Sequence, residues 1–207
     1  MAKPKRTYVY IDGFNLYYGA INHTPYKWLD LEKLCRAMLP KDNVVAIKYF
    51  TAKVSGRPGD PDAPIHQDLY LRALRTLPNI SITYGHFLTH SVPMPKSNSN
   101  QWVYVDKTEE KGSDVNLATY LLHDGFTGLY DIAVIISNDS DLREPVKIVH
   151  QVLKLPVGII NPHVTHSREL QEYATFKKRI RASDLAASLF PATLTDSKGT
   201  FSKPRGW

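Results

Sequence analysis

The stretch Ile132-Ala133-Val134-Ile135-Ile136 is apolar at every position. A strand with one face in water alternates apolar and polar residues, so this run predicts a strand that is covered on both faces. Similar short runs recur along the chain at 8–11, 44–50, 80–87 and 157–160. Helix-length segments separate them. The alternation predicts an α/β domain with a Rossmann-like, mainly parallel central sheet and helices on both faces.

The remaining segments complete this prediction. Helices are expected at 29–38, 63–76, 113–123, 141–153, 167–173 and 183–189, and a further strand or hairpin at 101–109 beside 80–87. Segments rich in Pro, Gly, Ser and Asn predict loops at 53–64 and 91–100. We place the domain at 6–182, followed by a C-terminal helix and an extended basic tail at 183–207.

Composition restricts the possible classes of protein. The 207 residues are 43% hydrophobic, which excludes global disorder. No apolar run approaches the roughly 20 residues that span a bilayer, so no membrane association is expected. No secretory signal is visible at the N-terminus, and the single Cys35 cannot form an internal disulfide. A cytoplasmic location is therefore predicted.

The net charge of +6 is unevenly distributed. Residues 1–6, with Lys3, Lys5 and Arg6, carry +3, and residues 177–207 carry +5. The body between them, 7–176, therefore carries −2. Basic ends suggest a polyanionic partner, whereas the acidic body calls for an explanation in its aspartates.

Four aspartates follow strands or open a helix. Asp12 comes directly after the first predicted strand, Asp139 and Asp141 follow Ile132–Ile136, and Asp114 opens the helix at 113–123. In an open α/β sheet, the carboxyl ends of parallel strands form the ligand-binding edge. We therefore expect the four carboxylates to converge.

Converging carboxylates require a cation, since two of them about 4 Å apart repel by roughly 4 kcal/mol at an effective dielectric near 20. Oxygen ligands without His or Cys favour Mg²⁺ or Mn²⁺. Such ions support hydrolysis at phosphorus. Two other interpretations stay open: helix caps or turns, and the Asp-x-Asp of a glycosyltransferase at Asp139 and Asp141. Nucleotide-binding Gly-rich loops are absent from the sequence, and the histidines, apart from His86 at a strand end, are interpreted as surface or core residues.

Three sequence motifs contain these aspartates. In chain order they are 9–15 (Val-Tyr-Ile-Asp-Gly-Phe-Asn), 110–116 (Glu-Lys-Gly-Ser-Asp-Val-Asn) and 136–142 (Ile-Ser-Asn-Asp-Ser-Asp-Leu). Together they resemble the NYN domain family of the PIN-like superfamily, including its bacterial LabA-like (DUF88) group, over roughly 6–182. The resemblance implies a Mg²⁺- or Mn²⁺-dependent ribonuclease. It also implies catalytic, metal-binding roles for Asp12, Asp114, Asp139 and Asp141, and substrate-binding roles for Asn15, Lys111 and Ser137.

Other side chains are candidates for contacts with nucleic acid. The aromatic candidates for base stacking are Phe14, Tyr17, Tyr18 and Trp28. The basic candidates for phosphate contacts are Lys53, Arg57, Lys177, Lys178, Arg179 and Arg181. For Phe14 and Tyr17 a core position is about as good an interpretation, and for the basic residues a solvated surface position is a better one.

The predicted function is hydrolysis of phosphodiester bonds in RNA by an endoribonuclease. One alternative keeps the fold but makes it a nucleic-acid-binding regulatory module with little or no turnover. Another is a different metal-dependent phosphotransfer or glycosyl-transfer enzyme. Nothing in the sequence predicts an oligomeric state.

Overall fold

A computed structural model describes residues 4–56 and 58–207. Its strands are β1 (Arg6–Asp12), β2 (Asn43–Thr51), β3 (Ile80–Tyr84), β4 (His86–Pro95), β5 (Trp102–Lys111), β6 (Ile132–Ile136), β7 (Val157–Asn161), β8 (Phe176–Arg179), β9 (Thr193–Asp196) and β10 (Gly199–Ser202). Its α-helices are α1 (Gly13–Leu16), α2 (Leu31–Met38), α3 (Ala63–Leu74), α4 (Ser113–Phe126), α5 (Arg143–Lys147) and α6 (Ala182–Ala186). None of these helices has the length and apolarity needed to cross a membrane.

The predicted parallel sheet is confirmed. Six strands pair in the order β3-β2-β1-β6-β7-β8, and each neighbouring pair is parallel. From β1 the chain proceeds outward through β2 and β3, and from β6 it proceeds in the opposite direction through β7 and β8. The β1–β6 pair is therefore the topological switch point, where ligands bind in this class of sheet.

Helices cover both faces of the sheet, as the apolar run in β6 predicted. Alternate residues of β1 belong to two hydrophobic clusters. Val9 and Ile11 are in the cluster with α2 and α3, and Tyr10 is in the cluster with α4 and α5. From Ala133 to Ile136, every residue of β6 is fully buried. Because no residue of this segment faces water, its sequence does not alternate between apolar and polar residues.

The segment after β3 differs from its prediction. The strand predicted at 80–87 ends at Tyr84, and a new strand, β4, begins at His86. Residues 91–95, predicted as loop, belong to β4, which pairs antiparallel with β5. The loop prediction relied on the Pro, Ser and Asn content of 91–100, including Pro93 and Pro95. A proline is tolerated on the free edge of a strand, where no N–H is needed.

One helix was wrongly predicted, and one strand was missed. Residues 167–173 form turns, not a helix, and β8 was not expected. β8 has the sequence Phe-Lys-Lys-Arg because it lies at the sheet edge, where charged side chains remain in water. The helix predicted at 141–153 consists of a 3₁₀ turn, α5 and a π-helical turn at Ile148–Val152.

The C-terminal segment forms a hairpin of β9 and β10, where an extended tail was predicted. Phe201 of this hairpin is buried beside Trp28, with ring centroids 6.5 Å apart. Arg72 of α3 donates to both carboxylate oxygens of Asp196 at 2.7 Å, and its guanidinium lies 4.1 Å from the Phe201 ring centroid. The hairpin thus packs on the domain, although the boundary at 182 stays a prediction.

Replacing Phe201 tests this packing. Phe201→Ala leaves a cavity against Trp28, so the free energy of unfolding should fall by about 2–4 kcal/mol in urea denaturation. Phe126→Ala is the control, because Phe126 is 63% exposed and its loss should change stability by less than about 0.5 kcal/mol. Equal stabilities of the two variants would show that the hairpin does not pack as described.

Candidate metal centre

Asp12 lies at the carboxyl end of β1 and is 4% exposed. Its Oδ1 accepts the backbone N–H of Asn15 at 2.9 Å, so Asp12 is the N-cap of α1. Its Oδ2 accepts the hydroxyl of Ser137 at 3.0 Å. Both carboxylate oxygens are therefore fixed in position by the protein.

The loop after β6 is joined to α1 by the same small side chains. The Ser137 hydroxyl also accepts the N–H of Asp139 at 3.1 Å. The Asn15 Oδ1 accepts the N–H of Asn138 at 2.9 Å. Asn15 and Ser137 therefore orient the two aspartate loops, and their predicted contact with substrate stays a prediction.

Asp114 comes from a different element, the first turn of α4. The helix N-cap is Gly112, whose φ of 95° is rarely open to residues with a side chain. Glu110 accepts both the N–H and the hydroxyl of Ser113, at 3.0 and 2.7 Å. Gly85 makes room for Glu110, because a Cβ on Gly85 would lie 2.2 Å from its Oε1. Glu110 thus secures the start of the helix that carries Asp114.

Asp12, Asp114 and Asp139 each contribute a carboxylate oxygen to a cluster in which these oxygens lie within 4.8 Å of one another. This spacing suits a shared divalent cation with oxygen ligands. Asp141 lies outside this cluster of three. It is exposed, and its N–H donates to Asp139 Oδ1 at 2.9 Å.

The cluster changes the acidity of its members. Burial, aided by the charges of Asp114 and Asp139, raises the pKa of Asp12 to about 7. Burial and the charges of Asp139, Glu110 and Asp141 raise the pKa of Asp114 to about 6. These carboxylates are costly to ionise without a counter-ion, so a divalent cation would compete with protons for them.

The cluster lies in a cleft of ≈ 340 Å³. Its polar lining is Asp12, Asn15, Glu110, Ser113, Asp114 and Asp139, and the rest is Phe14, Tyr18, Val54, Phe87 and His163. The Phe14 ring meets that of Phe87 edge-on at 5.8 Å and lies nearly parallel to Tyr18 at 6.5 Å. Phe14, Tyr18, Phe87 and His163, here called the aromatic wall, line the same cleft as the carboxylates.

Two members of this wall were missed from the sequence. His163 follows β7, the neighbour of β6, so the strand-end rule that identified the aspartates applied to it as well. The contribution of Phe87 to the cleft was not predicted, because β4 was not recognised as a separate strand.

Other predicted residues lie elsewhere. Trp28 is 2% exposed in the core, so its ring is unavailable to a base. Lys111 Nζ lies 3.0 Å from Glu109 Oε2, and Lys53 pairs with Asp68. The Lys178 ammonium donates to the Met38 carbonyl, and Arg57 lies outside the described residues. The predicted phosphate contacts of these basic residues stay predictions.

The NYN domain family model matches residues 6–178. The chain belongs to the NYN domain family. A relative from Pseudomonas putida, named 6-hydroxy-3-succinoylpyridine 3-monooxygenase HspA, is 32% identical over an alignment 241 positions long, which covers all of this chain and 76% of the relative. A crystal structure of a protein of unknown function from Vibrio parahaemolyticus has a TM-score of 0.59. That chain is 16% identical, with 92% of this chain and 100% of that chain covered, and it supports the fold alone.

Family membership gives this NYN domain a nuclease-type fold. The cluster of three aspartates at its switch point is consistent with a divalent metal site. The shared fold explains why the three sequence motifs, which are far apart along the chain, belong to one cleft.

The raised pKa values predict how the metal-free NYN domain responds to pH. For an acid whose pKa is higher in the folded state, the folded protein binds the extra proton, so stability falls as pH rises from about 4 to about 7. For Asp12 the loss is on the order of 4 kcal/mol. Urea denaturation in EDTA across this range should show the decline, and Mg²⁺ should restore stability at the upper end.

A pair of variants checks the origin of this decline. Asp114→Asn removes one of the coupled carboxylates, so the metal-free variant should lose less stability with rising pH than the wild type. Asp62→Asn is the control, since Asp62 is exposed and makes no side-chain capping bond. If both variants follow the wild-type pH curve, the cluster is not its cause.

Proposed function

We propose that the protein is a ribonuclease that uses Mg²⁺ or Mn²⁺ to hydrolyse phosphodiester bonds in RNA. The observation that carries the proposal is the convergence of Asp12, Asp114 and Asp139 at the switch point of an NYN domain. In this proposal these three carboxylates hold the metal, and Asp141 orients a water beside them. The bound ion would supply an activated water and charge stabilisation at the scissile phosphate.

The protein's own groups would prepare the site for this chemistry. Hydrogen bonds from Asn15 N–H and Ser137 orient the Asp12 carboxylate before substrate arrives. The Asn15 side chain, by accepting from Asn138 N–H, holds the second aspartate loop against the first. Such preorganisation lowers the cost of assembling the site during the reaction.

The aromatic wall supports a single-stranded substrate. A cleft of ≈ 340 Å³ suits one unpaired nucleotide better than a base pair. Tyr18, 58% exposed and nearly parallel to Phe14, offers a ring face to an unpaired base while the phosphate lies toward the carboxylates. Stacking of this kind tolerates any base, so it favours unpaired RNA without selecting a sequence.

Charge is compatible with a polyanion once metal is bound. Apart from the four aspartates, residues 7–176 carry +2, and the two ends of the chain add positive charge. The metal-free cleft would repel a phosphate, whereas the loaded cleft would attract it. Binding of RNA should therefore depend on the divalent ion as well as on salt.

Two other functions compete with this proposal. The first is a nucleic-acid-binding regulatory module of the same fold, with little or no turnover. The second is hydroxylation of a pyridine, suggested by the 32% identity to HspA over the whole of this chain. The aromatic wall that would stack on a base would also accept a planar pyridine ring.

Cleavage of labelled single-stranded RNA and DNA in Mg²⁺, Mn²⁺ or EDTA tests the ribonuclease proposal. We expect RNA cleavage that EDTA abolishes and that Asp12→Asn and Asp139→Asn reduce at least about 100-fold, since each removes a metal ligand. The control Asp62→Asn should cleave like the wild type.

The remaining outcomes separate the alternatives. Cleavage indifferent to EDTA and to both substitutions would refute the proposed site. RNA binding without cleavage in either metal would favour the regulatory module. Consumption of 6-hydroxy-3-succinoylpyridine with oxygen and a two-electron reductant, without RNA cleavage, would favour the monooxygenase named for the relative.

The aromatic wall provides a separate test of substrate form. Tyr18→Ala should raise KM for single-stranded RNA by about 5- to 100-fold with little change in kcat, because one base–aromatic stack is worth about 1–3 kcal/mol. Phe126→Ala, which removes a ring of similar exposure far along α4, should leave KM unchanged. An unchanged KM in Tyr18→Ala would show that substrate does not stack there.

A further inference from the structure

The antiparallel pair β4–β5, here called the ribbon, stands apart from the central sheet. Each strand has ten residues, and no third strand pairs with the ribbon in the described part of the chain. Its outer part, residues 92–95 and 102–105, is here called the ribbon tip. The tip exposes large apolar side chains: Met94 (44%), Trp102 (67%), Val103 (42%), Tyr104 (78%) and Val105 (40%).

A two-stranded ribbon is at best marginally stable in water unless a further strand or a packing partner covers it. Its free edges also offer unpaired N–H and C=O groups to any strand that approaches. The ribbon tip therefore has two features that call for an occupant, an apolar surface and an open edge.

The prolines show which edge is open. Pro93 and Pro95 have no N–H, so in a ladder they belong where the N–H would point away from β5. The outer edge of β4 thus offers no donor at these positions. Their partners Tyr104 and Trp102 are then in non-hydrogen-bonded pairs, so their own N–H and C=O groups point to the free edge of β5.

We propose that β5 pairs edge to edge with β5 of a second copy of this chain, about a two-fold axis through Tyr104. The two ribbons would then form one four-stranded antiparallel sheet in the order β4-β5-β5-β4. In this register Val103 of one copy lies opposite Val105 of the other, and the two Tyr104 residues pair through their free backbone groups.

The chemistry of the tip favours a second copy over a nucleic acid. The paired residues of the tip include no Lys or Arg, and the whole segment from His86 to Lys111 has equal numbers of acidic and basic residues. An apolar, uncharged strand is complementary to itself, which a two-fold interface requires. The paired residues of the tip offer no positive charge to a phosphate backbone.

The register also places the aliphatic side chains together. Cross-strand partners share a face, so Val92, Met94, Val103 and Val105 form one face of the tip. A two-fold axis perpendicular to the sheet keeps equivalent faces on the same side. The two copies therefore merge these residues into one apolar surface twice as large.

The same ribbon forms part of the cleft. Phe87 and Glu110 are cross-strand partners near its base, and both line the cleft. Pairing at the tip would restrain the ribbon and so fix the position of this wall. The two cleft-bearing domains stay apart, because the ribbons run in opposite directions from the shared tips.

Sedimentation velocity across a concentration series tests the proposal. We expect the wild type to shift reversibly from one chain, 23.5 kDa, toward a dimer, since so small an interface gives weak association. Tyr104→Lys brings two like charges together at the axis and should raise the dissociation constant at least about tenfold. Phe126→Lys, at a similarly exposed ring, should associate like the wild type.

A disulfide test is independent of the strength of association. Cys35, the single native cysteine, is 0% exposed. Because Cys35 is buried, a disulfide between two copies must come from the introduced cysteine. Under mild oxidation Tyr104→Cys should form a covalent dimer, and Phe126→Cys should not. Unchanged melting temperatures would show that both variants are folded.

Three results would overturn the proposal. One is a wild type that stays a single chain at every concentration. Another is a Tyr104→Cys variant that cross-links no faster than Phe126→Cys. The third is a Tyr104→Ala variant that loses affinity for single-stranded RNA but sediments with the same mass as the wild type. That result would assign the tip to nucleic acid.

Discussion

Everything at the candidate site depends on the parallel pairing of β1 with β6. Residues Thr7–Ile11 pair with Ile132–Ile136 although more than a hundred residues separate them in the chain. Their long separation makes this pairing costly in chain entropy, and the buried faces of both strands offset the cost. Because the strands are parallel, Asp12 and the Asp139 loop emerge at the same edge, where Ser137 joins them by a hydrogen bond to Asp12. The switch point is thus a consequence of core packing, and the site is a consequence of the switch point.

The same arrangement lowers the stability of the metal-free protein at the place where a cation would bind. An apolar core this close to the sheet edge places Asp12 where burial disfavours its charge, and the neighbouring aspartates disfavour it further. Capping α1 and accepting from Ser137 offset part of that cost. A bound cation would offset the cost that remains in the metal-free protein, because it would meet preoriented carboxylates and would not have to order them. Such a cation would gain affinity from carboxylates that burial and mutual repulsion already hold at a cost.

The central sheet and the three clustered aspartates were predictable because each has a local signal. β6 is uniformly apolar, and the aspartates stand directly after strands or at a helix start. A strand was predicted at 101–109, where β5 lies, but β8, β4 as a separate strand, and His163 were not predicted, for different reasons. β8 is a short charged edge strand, which composition cannot distinguish from a loop. The prolines of β4 are tolerated only because its outer edge is unpaired, which is a property of the sheet and not of the sequence. His163 follows a predicted strand, so the strand-end rule could have identified it, but its place in this particular cleft depends on β7 lying beside β6.

The cap role of Asp12 is compatible with the metal role proposed for it. Each carboxylate oxygen has two lone pairs. The Asn15 N–H uses one lone pair on Oδ1 and the Ser137 hydroxyl uses one on Oδ2, so each oxygen retains capacity to bind a cation. The capping bond also prevents the carboxylate from rotating away, which a free side chain would do at an entropic cost on binding. The capping role of Asp12 would therefore favour binding of a cation and not compete with it.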